Sequence, residues 1–125
     1  MQITTSALSL NVADPQASAA FAVEHFGFTE AMSADGFISL EREDAGFNLI
    51  YLRTGLPTFK PAQIAGSAGQ GLLVVFVVDD IDAEYLRLQQ EGVPIATPIE
   101  TEEWGERYFQ TVDPNGIVIQ LVQWM

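Results

Sequence analysis

Apolar and polar residues alternate along much of this chain, and the alternation stops where aspartate, proline and glycine cluster. Ala7–Val12 sets Leu8, Leu10 and Val12 on one side and Ala7, Ser9 and Asn11 on the other, the period of a strand. Asp14 and Pro15 then read as a helix N-cap followed by proline at the first helical position. Helix formers continue over Ala17–Phe26 until Gly27, placing Phe21 and His25 on one face. Three short strands are predicted next, over Phe28–Met32, Gly36–Arg42 and Gly46–Arg53, with turns between them. From Thr54 to Gly71 no amphipathic period survives, and Gly, Pro, Ser, Gln and Ala accumulate. That stretch is expected to be a connector, either a flap over a site or a plain disordered linker.

After the connector the pattern starts again. Leu72–Val78 is a predicted strand, Asp80 opens a helix that runs to Gly92, and Val93–Pro98, Arg107–Val112 and Ile117–Gln123 are three more strands. Asp14-Pro-Gln-Ala17 maps onto Asp80-Ile-Asp-Ala83, and His25-Phe-Gly27-Phe28 onto Gln90-Glu-Gly92-Val93. Such self-similarity marks a repeated unit. The expected fold is therefore α+β: two tandem βαβββ modules in one domain, their sheets curled around a shared cup. Module one covers about 1–53, the connector 54–71 and module two 72–125.

The last two strands form a hairpin. Asp113-Pro114-Asn115-Gly116 joins them, with Asn-Gly expected to supply positive φ angles. In the second arm Ile117, Ile119 and Leu121 point one way, and Val118, Gln120, Val122 and Trp124 the other. One amide thus stands in mid-strand among apolar neighbours.

Composition narrows the function more than the fold. Five basic against seventeen acidic residues give a formal charge of −12, which opposes nucleic acid and anionic membrane surfaces and favours cationic ligands. The absence of cysteine removes disulfides, thiolate metal sites and cysteine nucleophiles, and fits a reducing compartment. No apolar run is long enough for a membrane span, and the first ten residues lack a signal-peptide pattern, so a cytoplasmic protein is expected. No nucleophile elbow, phosphate-binding loop or dinucleotide fingerprint is present. The one histidine, His25, lies on the first helix and is expected to pack rather than to ligate or catalyse. The acidic clusters at Glu41–Asp44 and Glu100–Glu106 lack calcium-loop spacing and read as solvated rims.

The paired strand-Asp-helix-Gly pattern and the run W-G-x-R-x-F-x-x-x-D-P-x-G over Trp104–Gly116 resemble the vicinal oxygen chelate superfamily across essentially the whole chain. That superfamily includes glyoxalase I, extradiol dioxygenases, and fosfomycin- and bleomycin-resistance proteins. Its metal enzymes hold a divalent ion with His or Glu ligands, and the matching positions here are Ala7, Leu73 and Gln120, with a fourth near Asn48 or Ile50. Alanine and leucine offer no donor atoms. The resemblance therefore implies the metal-free, bleomycin-resistance-like branch: no cofactor, no catalytic residue, and a homodimer with grooves at or near the subunit interface.

Alternation suggests a cup lined by Ser9 and Asn11 from the first strand, Leu73 and Val75 from the fifth, and Gln120 and Val122 from the last. Trp104 is expected at its rim and Phe109 as a stacking surface, while Arg107 either orients an acidic ligand group or pairs with surface acids. Such walls suit a flat, partly hydrophobic small molecule; the resemblance implies a protein that sequesters an aromatic or cationic compound such as an antibiotic. The alternatives are a glyoxalase- or dioxygenase-type metal enzyme, its atypical centre completed by Glu41, Glu100 or a partner chain, and an accessory ligand-sensing domain.

Overall fold

The structure, a computed structural model, describes residues Met1 to Met125. Eight strands and two α-helices appear in the expected order: β1 (Ala7–Val12), α1 (Pro15–Phe26), β2 (Thr29–Ala34), β3 (Phe37–Glu41), β4 (Asn48–Arg53), β5 (Val74–Val77), α2 (Ile81–Gln90), β6 (Ile95–Thr101), β7 (Glu106–Val112) and β8 (Val118–Trp124). They make two mixed four-stranded sheets, ordered β1-β4-β3-β2 and β5-β8-β7-β6, each with its own helix. In both sheets the first strand pairs in parallel with the last, and the remaining pairings are antiparallel. The chain divides into two compact units, Met1–Ala68 and Gly69–Met125.

The internal correspondence read from the sequence reaches the level of single hydrogen bonds. Asp14 Oδ1 accepts from the Ala17 N–H at 3.3 Å, and Asp80 Oδ1 from the Ala83 N–H at 3.2 Å, so both helices begin with the same side-chain cap. At the other ends Gly27 and Gly92 take φ of +70° and +78°, the left-handed conformation that lets the chain leave the helix. The next residue is buried each time, Phe28 in the first unit and Val93 in the second.

In the first unit the face that carries Leu10, Val12, Ile38, Leu40, Leu49 and Tyr51 forms the core with α1, whose Phe21, Ala22 and Phe26 are also buried. His25 lies edge-on to Phe21 at 5.0 Å between ring centroids, packed on the helix as expected. The segment after β4 is bound to its unit. Asn11 Nδ2 donates to the carbonyls of Ile64 and Gly66, the Asn11 carbonyl accepts from the Ala68 N–H at 2.8 Å, and a 3₁₀ turn forms over Ala62–Ala65.

In the second unit α2 covers the face bearing Val74, Phe109, Ile119 and Leu121, all at most 3% exposed. Burying each such side chain contributes roughly 1.5–3 kcal/mol. Tyr85 of α2 packs on Phe109 at 4.9 Å between centroids, and the Gln123 amide clamps the helix start by accepting from the Ile81 N–H and donating to the Asp79 carbonyl. The β7–β8 reversal is held by Asp113, whose Oδ1 accepts from the N–H groups of Asn115 and Ile117, each at 2.9 Å. Only Gly116 takes a positive φ there, +83°; Asn115 does not, because the Asp113 carboxylate already turns the chain.

Several boundaries differ from the sequence reading. Strand β6 runs on to Thr101 past Pro98, which an edge strand tolerates because one row of its N–H groups is unpaired, and two register shifts accompany it. Strand β2 is exposed along its whole length, and Phe28, expected within it, instead anchors the turn after α1.

Candidate ligand-binding site

The hairpin register decides which side chains share a surface with Gln120. Gln110 stands directly opposite Gln120, Tyr108 opposite Val122 and Glu106 opposite Trp124. On the other side of β8, Val75 lies beside Gln120 and Val77 beside Val122. One sheet face, opposite the one under α2, therefore brings together Val75, Val77, Tyr108, Gln110, Gln120, Val122 and Trp124. Leu73 continues the phase of Val75 just before β5. Leu73, Val75, Val77 and Trp124 are exposed apolar side chains, whereas Gln120 and Val122 are buried at 7% and 1% exposure.

Across the middle of this face runs a row of side-chain hydrogen bonds. Thr97 Oγ1 donates to Gln110 Oε1 at 2.7 Å, and Gln110 Nε2 donates to Gln120 Oε1 at 2.9 Å. Nearer the chain terminus the Tyr108 hydroxyl lies 2.5 Å from Glu100 Oε1 and 3.1 Å from Glu102 Oε1. The bond to Glu100 above all, then burial and the bond to Glu102, holds the phenolic proton and pushes the Tyr108 pKa far above its ordinary value. Acidic oxygens thus edge an otherwise apolar and amide-bearing surface.

Four of the residues expected to line a site, Leu73, Val75, Gln120 and Val122, lie together on this face. Arg107 and Phe109 do not. Their partners across the hairpin are Gln123 and Leu121, so both side chains stand on the α2 side. Arg107 forms a double contact with Asp82 of α2, at 2.6 and 3.3 Å, and donates to Thr101 Oγ1; the hydrogen bond to Arg107 lowers the Asp82 pKa. Phe109 is fully buried beneath Tyr85. Trp104 is exposed in the turn between β6 and β7, the kind of position expected for a rim. Ser9 and Asn11 belong to the first unit, where Ser9 is exposed and the Asn11 amide is occupied by the Ile64 and Gly66 carbonyls. Gln110 and Thr97 were missing from the expected set. The turn length could have revealed Gln110: Val112 pairs with Val118, and counting outward puts residue 110 against 120.

A family model matches residues 4–121. The chain belongs to the glyoxalase/bleomycin resistance protein/dioxygenase superfamily. Solved structures of this superfamily's fold superpose over nearly the whole chain. A glyoxalase/bleomycin resistance protein/dioxygenase from Nocardioides is 24% identical with a TM-score of 0.81, covering 100% of this chain and 85% of its own. TnmS3, an antibiotic binding protein from Streptomyces sp. CB03234, is 27% identical with a TM-score of 0.75, covering 100% of this chain and 99% of its own. A lactoylglutathione lyase from Agrobacterium tumefaciens is 18% identical with a TM-score of 0.77, covering 98% of this chain and 94% of its own. No functionally curated protein matches.

The superfamily's metal enzymes raise the question of whether these side chains fit a divalent ion. They do not. Ala7 and Leu73 carry no donor atom, and the Gln120 oxygen is already taken by Gln110. No group of three or more His, Asp or Glu side chains is placed to share an ion. Glu100, named for an atypical centre, is engaged by Tyr108.

Proposed function

We propose that this superfamily member is a binding protein that sequesters a small, flat, partly apolar compound, neutral or cationic, without a resident metal. The observation that carries this reading is the face around Gln120. At the position where the metal enzymes place a carboxylate ligand stands a neutral amide, locked to Gln110 and set among Val75, Val122 and the exposed Trp124. Apolar walls with a few oriented amides favour an uncharged planar ligand, and the acids at the edge favour positive charge. Similarity to an antibiotic-binding protein supports the same direction. The reading includes a homodimer in the cytoplasm, which light scattering of the purified protein and fractionation of the source cells test. No helix is long and apolar enough to cross a membrane.

Titration with bleomycin and with ethidium, a planar aromatic cation, tests the proposal through tryptophan fluorescence and thermal shift, since Trp104 and Trp124 are the two tryptophans. Saturable quenching and a raised melting temperature that persist after chelator treatment are expected with at least one of them. No binding, or binding abolished by the chelator, overturns it.

A further inference from the structure

Gln120 is buried to 7% exposure, yet only its oxygen is engaged within the sheet. The reason is directional. Thr97 supplies a hydroxyl proton to the Gln110 oxygen, which turns the Gln110 nitrogen toward β8, where it takes the Gln120 oxygen. The three side chains form a relay with one polarity, and its last member presents an amide nitrogen carrying two unclaimed hydrogens. This donor stands beside Val75 and one step along the same face from Val122. No buried side-chain nitrogen or oxygen lacks a partner in this structure, so the unclaimed Gln120 nitrogen still reaches the surface of the face, where a ligand can supply its acceptor in place of water.

We propose that Gln120 is a specificity-determining donor. It selects flat ligands that carry a neutral hydrogen-bond acceptor, a carbonyl or its equivalent, over ligands of the same shape that lack one. Gln110 and Thr97 act through it as positioning residues. An anionic acceptor is disfavoured because Glu100 and Glu102 edge the same face and the chain carries a net charge of −12. This inference rests on the sequestering function proposed above and adds the chemistry of the ligand.

The test uses two small planar probes, 1-indanone and indane, which differ by one carbonyl, titrated into the whole protein by calorimetry. The wild type is expected to bind 1-indanone about tenfold more tightly than indane, the size of one neutral hydrogen bond. Gln120→Leu removes the donor and brings the ratio to about one. Gln120→Glu keeps an oxygen for Gln110 and replaces the free N–H with a second oxygen, so indane becomes the better ligand. Gln110→Glu can no longer donate to Gln120, and it abolishes the ketone preference while indane still binds, a change in ratio that mere loosening of the sheet does not produce. Melting curves of each variant confirm that the fold persists. Equal binding of both probes to the wild type, or a ketone preference that survives Gln120→Leu, overturns the inference and leaves sequestration standing. Failure of both probes to bind overturns both.

Discussion

Asp113 holds the β7–β8 reversal, and its removal has a calculable cost. Its side chain is 4% exposed, and one oxygen accepts from two backbone N–H groups, those of Asn115 and Ile117. Asp113→Ala strips both. A buried N–H that loses a charged acceptor costs about 2 kcal/mol, which applies to Ile117, whereas the part-buried Asn115 N–H can turn toward water and loses about 1 kcal/mol. The sum is about 3 kcal/mol. For a chain of 125 residues the unfolding entropy is about 260 cal/mol/K, so the melting temperature should fall by roughly 11 °C. Asp113→Asn keeps a neutral oxygen in the same place and should lose no more than about 1 kcal/mol, or ~4 °C. Circular dichroism melts of the three proteins at neutral pH decide the matter. If Asp113→Ala melts within about 4 °C of the parent, or Asp113→Asn falls as far as the alanine variant, the reasoning fails. Gln120 depends on this turn, because a one-residue slip in the hairpin would carry its side chain to the α2 face.

Three further outcomes are expected. Gly27→Ala should cost about 2 kcal/mol and Gly92→Ala about 1 kcal/mol by denaturant titration, since both force a side chain into a left-handed φ. Only at Gly27 does the added Cβ meet an atom, Arg42 Nη1 at 2.7 Å, and so disturb the Arg42 bond to the Phe26 carbonyl. Tyr108 has a pKa raised above that of an unfolded tyrosine, so the stability it contributes is complete below pH ~10 and declines only above it. The tyrosinate absorbance difference between wild type and Tyr108→Phe should therefore be absent at pH 10 and emerge at higher pH. Asp82 has a pKa depressed by Arg107, so the contribution of that pair is present above the unfolded carboxylate pKa and is lost as pH falls through the folded one. Arg107→Ala should narrow the stability gap between pH 5 and pH 2 in denaturant titrations while leaving ligand affinity unchanged, because Arg107 faces α2.

The parts of the fold legible in the sequence were those written in local chemistry. Asp14 and Asp80 cap helices whatever surrounds them, and Gly27 and Gly92 end those helices because few other residues tolerate the φ required. Alternation along β8 correctly separated Gln120 and Val122 from Ile119 and Leu121, since a strand carries its own period. Sequence reasoning lost accuracy where the phase of one strand had to be carried to another. Phe109 reads as a stacking surface and Arg107 either as a ligand-orienting group or as a partner of surface acids, but the face each occupies is set by pairing with Leu121 and Gln123, which depends on the turn at Asp113. Gln110 was overlooked for the same reason. Asn11 alternated as expected, yet its amide serves Ile64 and Gly66, more than fifty residues away, and no local pattern announces that contact.

The bonds from Asn11 to Ile64, Gly66 and Ala68 also say where this chain can be divided. Although the glycine- and proline-rich stretch starts at Thr54, its hydrogen bonds return to β1, so it travels with the first unit up to Ala68. A split-protein pair broken between Ala68 and Gly69 leaves each fragment with a whole four-stranded sheet, its capped helix and its own terminal glycine. A break at Thr54 instead deprives Asn11 of its acceptors and should give a first fragment that melts lower than one ending at Ala68.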